Sequence, residues 1–304
     1  MKLSENVWLL IILMTLPLFA FSQEKYDSKP NLIFTGKAVP IAKNTLQIVT
    51  SYKNNSRYKM FNPMTKKTEK ISDKIALNDA NFDLLLRYGF SPKFDFGIEI
   101  PFESSHKYSP MGEMKGTGIN DVSLLTGFNI LNGKNSRNFL KNNFRISFPS
   151  GSYDNLKSNE IPLGLGCFSV TDEISGFHQF ERNNLMYSVR YTYRNENSSN
   201  SVDIGDEVGG EVVFTKNIAN ELGKFGIKSG LNSYYKFDDE LNDVSLPNQE
   251  KFVTSISEGV WYAFNKDLYF SLEVPITIYK DEEWFTDSQV IFRANYFIDF
   301  TKNK

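Results

Sequence analysis

The chain has 304 residues, with 34 Lys and Arg against 36 Asp and Glu, and the formal charge of −2 gives no field for gripping nucleic acid. Its single cysteine, Cys167, excludes an intramolecular disulfide and a cysteine-rich metal site. Mean hydropathy is −0.36, which suits a soluble protein but also a membrane barrel, whose strands turn only half their residues toward lipid.

In chain order, residues 1–22 read as a secretory signal peptide. Lys2 opens it, an apolar run from Val7 to Ala20 is broken only by Thr15 and Pro17, and Ala20-Phe21-Ser22 supplies a cleavage site before Gln23. The run falls short of the roughly 18 to 20 residues of a membrane-spanning helix, and no cysteine follows for lipid attachment. Residues 23–44 read as a periplasmic lead-in with little periodicity.

From residue 45 onward the signal is period two. Phe82, Leu84, Leu86, Tyr88 and Phe90 alternate with Asp83, Arg87 and Gly89; after Ser91-Pro92-Lys93, Phe94, Phe96, Ile98, Ile100 and Phe102 alternate with Asp95, Gly97, Glu99 and Glu103. Successive strand side chains point to opposite faces, so each segment has one oily and one charged face. The pattern recurs over 140–148, 185–194, 268–278 and 290–300, and more weakly over 45–53, 75–90, 117–131, 164–176, 206–217, 225–238 and 250–264. That makes about twelve strands, each near the roughly 9 to 11 residues a tilted strand needs to cross a bilayer.

Short connectors (Ser91 to Lys93, Leu131 to Arg137, Asn265 to Asp267) alternate with long polar ones (Lys53 to Lys74, Ser104 to Lys115, Ser150 to Pro162, Asn195 to Asp203, Asp238 to Gln249, Lys280 to Asp287). Outer-membrane barrels alternate periplasmic turns and extracellular loops in this way. A β-sandwich also alternates apolar and polar residues, but it explains neither the aromatics gathered at strand ends nor the charges recurring at mid-strand. The expected fold is an all-β, antiparallel transmembrane β-barrel over 45–300, with a 301–304 tail and both termini periplasmic. Asp172 and Glu258 fall in step with the oily residues of their strands, so a β-bulge or a position near a membrane interface is expected at each.

The inner face is expected to carry Asp83, Asp95, Glu99, Asp121, Glu211 and Glu273 against Arg87, Lys141, Arg145, Arg190, Arg194, Lys228 and Arg293. Acids concentrate on the strands of 82–121 and bases on those of 140–194, so the two arcs either pair across the lumen or line a wet channel. Catalysis is not expected: the two histidines, His106 and His178, map to connectors, and no cofactor or metal set is evident. Gly116-Thr117-Gly118 precedes a strand and is no dinucleotide fingerprint. The Lys-rich segment from Lys53 to Lys74 is expected to be a solvated loop.

Arg87-Tyr88-Gly89 followed after a turn by Glu99-Ile100-Pro101, then Gly116-Thr117-Gly118-Ile119-Asn120-Asp121, then Phe148-Pro149-Ser150-Gly151, resemble in order and spacing the outer-membrane "meta-pathway of phenol degradation" transporter family. Ser150 stands where the family pattern has Thr. The resemblance spans roughly 45–300 and implies a Gram-negative outer-membrane barrel admitting small molecules, aromatic ones among them. The expected function is passive, porin-like passage of small solutes, the alternative being a non-conducting structural or partner-binding barrel. Expected partners are outer-membrane lipids and lipopolysaccharide, the barrel assembly machinery that reads an aromatic final residue such as Phe300, and an unspecified small solute.

Overall fold

An oily face on one side of each strand and a polar face on the other is stable in a bilayer only if every backbone N–H and C=O is paired within the sheet. The computed structural model shows how the chain achieves this. It describes residues 39–303 apart from 63–66, 71–75, 110–111, 133–137, 154–155, 158, 181–182, 198–200, 219–223, 242–243, 247–250 and 281–285. The expected signal peptide and most of the lead-in lie outside the described residues.

In chain order the strands are β1 (Thr45–Asn62), β2 (Lys67–Lys70), β3 (Ala76–Ser91), β4 (Phe94–Ser109), β5 (Gly112–Ile119), β6 (Ser123–Asn132), β7 (Asn138–Ser147), β8 (Ser169–Phe180) and β9 (Asn183–Arg194). They continue as β10 (Val202–Asp203), β11 (Glu207–Asn217), β12 (Phe225–Lys236), β13 (Glu240–Leu241), β14 (Val244–Ser245), β15 (Lys251–Ala263), β16 (Leu268–Lys280) and β17 (Thr286–Asp299). Twelve of them make the wall, running β1, β3, β4, β6, β7, β8, β9, β11, β12, β15, β16, β17, each antiparallel to the next. Pairing of β17 with β1, from Thr45 opposite Asp299 to Lys59 opposite Thr286, closes the cylinder and removes both sheet edges. The even number puts Thr45 and Asp299 at the same end, the one with the short turns. No helix among the described residues is long and apolar enough to cross a membrane, so the crossing is made by strands.

Two of the expected loops are strand instead. The ladder of β1 runs on past Lys53 to Asn62, where it pairs with β2, and β4 runs on through Ser109, where it pairs with β5. Backbone pairing does not need an oily face, so these polar extensions lengthen the wall on the long-loop side. The weak segment expected over 117–131 is two strands, β5 and β6, parted at Asn120-Asp121-Val122. Between the long loops, β10, β13 and β14 form a small separate sheet.

Burial is inverted relative to a soluble protein. Lys141 is fully buried and Arg87 is 2% exposed, whereas Ile276 and Ile278 are 54% and 55% exposed. Tyr52, Phe82 and Phe102, which face one another across β1, β3 and β4, all point outward. Rings cluster at both ends of the outer surface: Tyr88, Phe90, Phe94 and Phe300 at the short-turn end, and Phe252 with Tyr279 or Phe148 with Phe168 toward the long loops. These are the interfacial girdles of a membrane barrel.

No bulge shifts the phase at Asp172 or Glu258, for both registers are continuous through these residues and both side chains are exposed on the outer face. Each is held by an outward neighbour on the adjoining strand. Asn142 Nδ2 donates to Asp172 at 2.5 Å, and Ser229 Oγ donates to Glu258 at 2.6 Å. Asp172 sits near the long-loop end of β8, as one of the two expectations had it, whereas Glu258 stands in the middle of β15.

Candidate functional site

Among the described residues, a cavity of about 320 Å³ and one of about 260 Å³ lie inside the wall, and both are lined by Arg87, Leu125 and Arg145. The larger touches every wall strand except β8 and β15, and the smaller lies chiefly against β7, β8 and β9. Alternation explains the lining: most inward positions are the polar partners of outward oily residues. Not all are polar, however, since Val49, Leu85, Leu125 and Met186 put apolar surface into the larger cavity.

The expected charged residues sort into paired and open groups. Arg87 Nε donates to Asp95 Oδ1 at 3.0 Å, a second Arg87 nitrogen joins it, and Lys141 Nζ lies 2.5 Å from Asp95 Oδ2. Arg145 pairs with Glu99 at 2.7 Å. Lys228 reaches Glu273 at 2.9 Å, and Arg293 pairs with the same carboxylate. Arg190 and Arg194 share Glu207, at 3.2 and 3.0 Å. By contrast, the side chains of Asp83 and Glu211 form no ion pair or hydrogen bond with other described residues, and both face the larger cavity. The acidic and basic arcs therefore do meet, but along the wall rather than across the lumen.

Glycines make those contacts reachable. Asp95 on β4 and Lys141 on β7 are separated by β6, whose inward residue beside Asp95 is Gly127. A Cβ there would fall 2.6 Å from Arg87 Nη2 and 2.7 Å from Asp95 Oδ1, so the ion cluster lies flat on bare backbone. Gly259 does the same on β15, directly between Lys228 of β12 and Glu273 of β16. A side chain at either glycine would push the charges apart.

Asp121 is placed differently from expectation. It lines neither cavity; its carboxylate accepts the backbone N–H of Gly151 at 3.2 Å and of Leu165 at 2.7 Å. Ser150 Oγ accepts from Val122 N at 2.8 Å and donates to the Asn120 carbonyl, while Lys115 and Ile161 pair through backbone. The Gly-x-Gly-x-x-Asp and Pro-Ser-Gly segments thus form one knot, which folds the 148–168 connector so that Leu165 lines the smaller cavity and Leu163 and Cys167 are buried. Burial pushes the Cys167 thiol up.

Sequence reasoning missed the apolar lining of the short-turn mouth. Trp261, Ala263, Tyr269 and Phe297 pack on one side of it, and Phe139, Phe177 and Met186 on the other. The lead-in joins the second group: Val39 packs against Phe139 and Phe177, and Ile41 is buried nearby. Gly89 lets it pass, since a Cβ there would fall 2.8 Å from the Ile41 carbonyl oxygen, and Asn44 N bonds the Gly89 carbonyl at 2.7 Å. The signal was present, because inward and outward residues are both apolar in Phe139-Leu140, Trp261-Tyr262 and Tyr296-Phe297-Ile298, all next to short turns. The two histidines lie on strands, His106 on β4 and His178 on β8, rather than in connectors.

A closed antiparallel cylinder that is oily outside, girdled by aromatics and charged within is an outer-membrane β-barrel. More particularly, the chain belongs to the family described as "Putative MetA-pathway of phenol degradation", whose model matches residues 70–285. The fold is similar to that of the COG4313 outer membrane channel from Pseudomonas putida F1, at 12% identity and a TM-score of 0.71, over 88% of this chain and 100% of that one. It is also similar to the beta domain of the Bordetella autotransporter BrkA, at 12% identity and a TM-score of 0.51, over 85% of this chain and 100% of that one. No curated protein sequence matches the chain.

Proposed function

We propose that the barrel passes small solutes, aromatic or hydrophobic ones among them, passively across the outer membrane. The carrying observation is the pair of adjoining cavities inside the wall, whose linings mix charged groups with Val49, Leu85, Leu125 and Met186. A lumen serving only as structural packing would pair its charges throughout, yet Asp83 and Glu211 face open space. The name of the Pseudomonas putida neighbour, an outer membrane channel, is in keeping with this reading. In it the short-turn end faces the periplasm, the long loops face outward among lipopolysaccharide, and the protein is a conduit rather than a catalyst.

The inner residues divide the work. Ion pairs along the wall hold the cylinder's shape, while the unpaired carboxylates and partly exposed arginines supply polar contacts to a solute in transit. The apolar mouth at the short-turn end, with Val39 and Ile41 set in it, narrows the route there and offers contacts to hydrophobic groups.

Swelling of liposomes containing the purified protein tests the proposal with a graded solute series. Solutes of molecular volume below about 250 Å³, within the size the cavities allow, are expected to enter, with rates falling steeply above it. No swelling above protein-free liposomes for any solute would leave a non-conducting, partner-binding barrel as the reading.

A further inference from the structure

The smaller cavity, between β7, β8 and β9, has a lopsided lining: four arginines, Arg87, Arg145, Arg190 and Arg194, and one carboxylate, Glu173. The lining itself therefore favours an anion over a cation.

Donor accounting points the same way. A guanidinium carries five N–H groups in a planar fork. Among the described residues Arg190 contacts Glu207 through Nη2, and Arg145 contacts Glu99 through Nη1, with no further side-chain hydrogen bond or ion pair for either, although the Asp83 carboxylate also faces Arg145. Arg145 stands opposite Thr171 on β8 and Arg190 opposite Glu173, one inward step away, so β8 lies between two forks with donors to spare. Glu173 itself is 4% exposed and already accepts from Ser175 Oγ at 2.9 Å, which fixes it against the wall. Leu125 and Leu165 add apolar sides, and the 260 Å³ volume holds a single-ring molecule.

We propose that this cavity is a binding subsite for small monocarboxylates, the carboxylate taken by the guanidinium groups of Arg145 and Arg190 and the carbon frame resting on Leu125 and Leu165. The proposal rests on the passage reading for how the acid arrives, though binding itself needs no flux. Planar, two-point acceptance by a carboxylate matches the arginine fork, and a neutral analogue of the same shape leaves the desolvated guanidinium groups unmatched.

Calorimetric titration of the protein in lipid nanodiscs at neutral pH tests it, with benzoate as probe and benzyl alcohol as its neutral counterpart. Benzoate is expected to bind saturably, one per barrel, at least about tenfold more tightly than benzyl alcohol, the scale of one charge-assisted contact. Arg145→Gln and Arg190→Gln should each weaken benzoate about tenfold, and Glu258→Gln, on the outer surface, should leave it unchanged. Equal binding of the two probes, or full benzoate affinity in either folded arginine variant, overturns the proposal. Should Arg190→Gln fail to fold, the more exposed Arg145 carries the test alone. A barrel that conducts yet ignores benzoate refutes the subsite only, whereas one that binds benzoate but passes nothing refutes the passage reading only.

Discussion

Asp95→Asn removes the carboxylate with which both Arg87 and Lys141 pair, at a point where the three side chains are 1%, 2% and 0% exposed. At an effective dielectric constant of about 20, each contact near 3 Å represents roughly 5 kcal/mol of attraction. Much of that is offset by the cost of having taken the charges out of water, but the variant keeps the cost and loses the attraction. Removing one partner of such a buried group typically costs about 3–5 kcal/mol, and a loss in that range is expected here. The assay is equilibrium urea unfolding in lipid vesicles, followed by tryptophan fluorescence. Adding Lys141→Met to Asp95→Asn should recover part of the loss, because one stranded cation disappears. Gly127→Ala, which places a methyl group among the same side chains, should cost about 1–3 kcal/mol. A stability for Asp95→Asn within about 1 kcal/mol of the parent protein would refute the claim that this buried carboxylate holds both Arg87 and Lys141.

Other expectations concern the loop, the mouth and the lipid face. Asp121→Ala frees two backbone N–H groups, so limited proteolysis should cut within 148–168 sooner. Cys167, whose burial and raised thiol pKa keep thiolate scarce at neutral pH, should then react with maleimide several-fold faster; unchanged labelling would mean that Asp121 does not hold the loop. Gly89→Val should dislodge Ile41 from the short-turn mouth and raise single-channel conductance, and an unaltered current would place the constriction elsewhere. Glu258→Gln takes a charge off the lipid-facing surface and should stabilise the barrel by about 1 kcal/mol in vesicles, whereas a destabilised variant would show that the Ser229 contact outweighs the lipid cost.

Strand positions were legible wherever lipid imposed period two. Phe82 to Phe102 illustrates this: the register of β3 on β4 pairs Phe82 with Phe102, Leu84 with Ile100 and Tyr88 with Phe96, all facing out. Outside the bilayer the constraint lapses. The extensions of β1 and β4 are held by backbone pairing and by polar contacts such as His106 with Glu113 and Gln289 with Asn55, which leave no hydropathy signal and made them resemble loops. The inward charges were legible as a set but not as partners, because Asp95 and Lys141 meet only through a barrel order that seats Gly127 between them. Asp121 has the phase of a lumen residue, yet the chain breaks at Asn120 to Val122 and turns its carboxylate to the folded loop. At the short-turn mouth the alternation fails because both faces are apolar, one toward lipid and one toward the packed opening.

Single-channel recording of the purified protein in planar bilayers tests the central claim, that the interior of this barrel is a route for small solutes. A steady, ohmic conductance is expected, reduced by Arg145→Gln and increased by Gly89→Val. Bilayers that stay electrically silent with correctly folded protein, including the Gly89→Val variant, would contradict it.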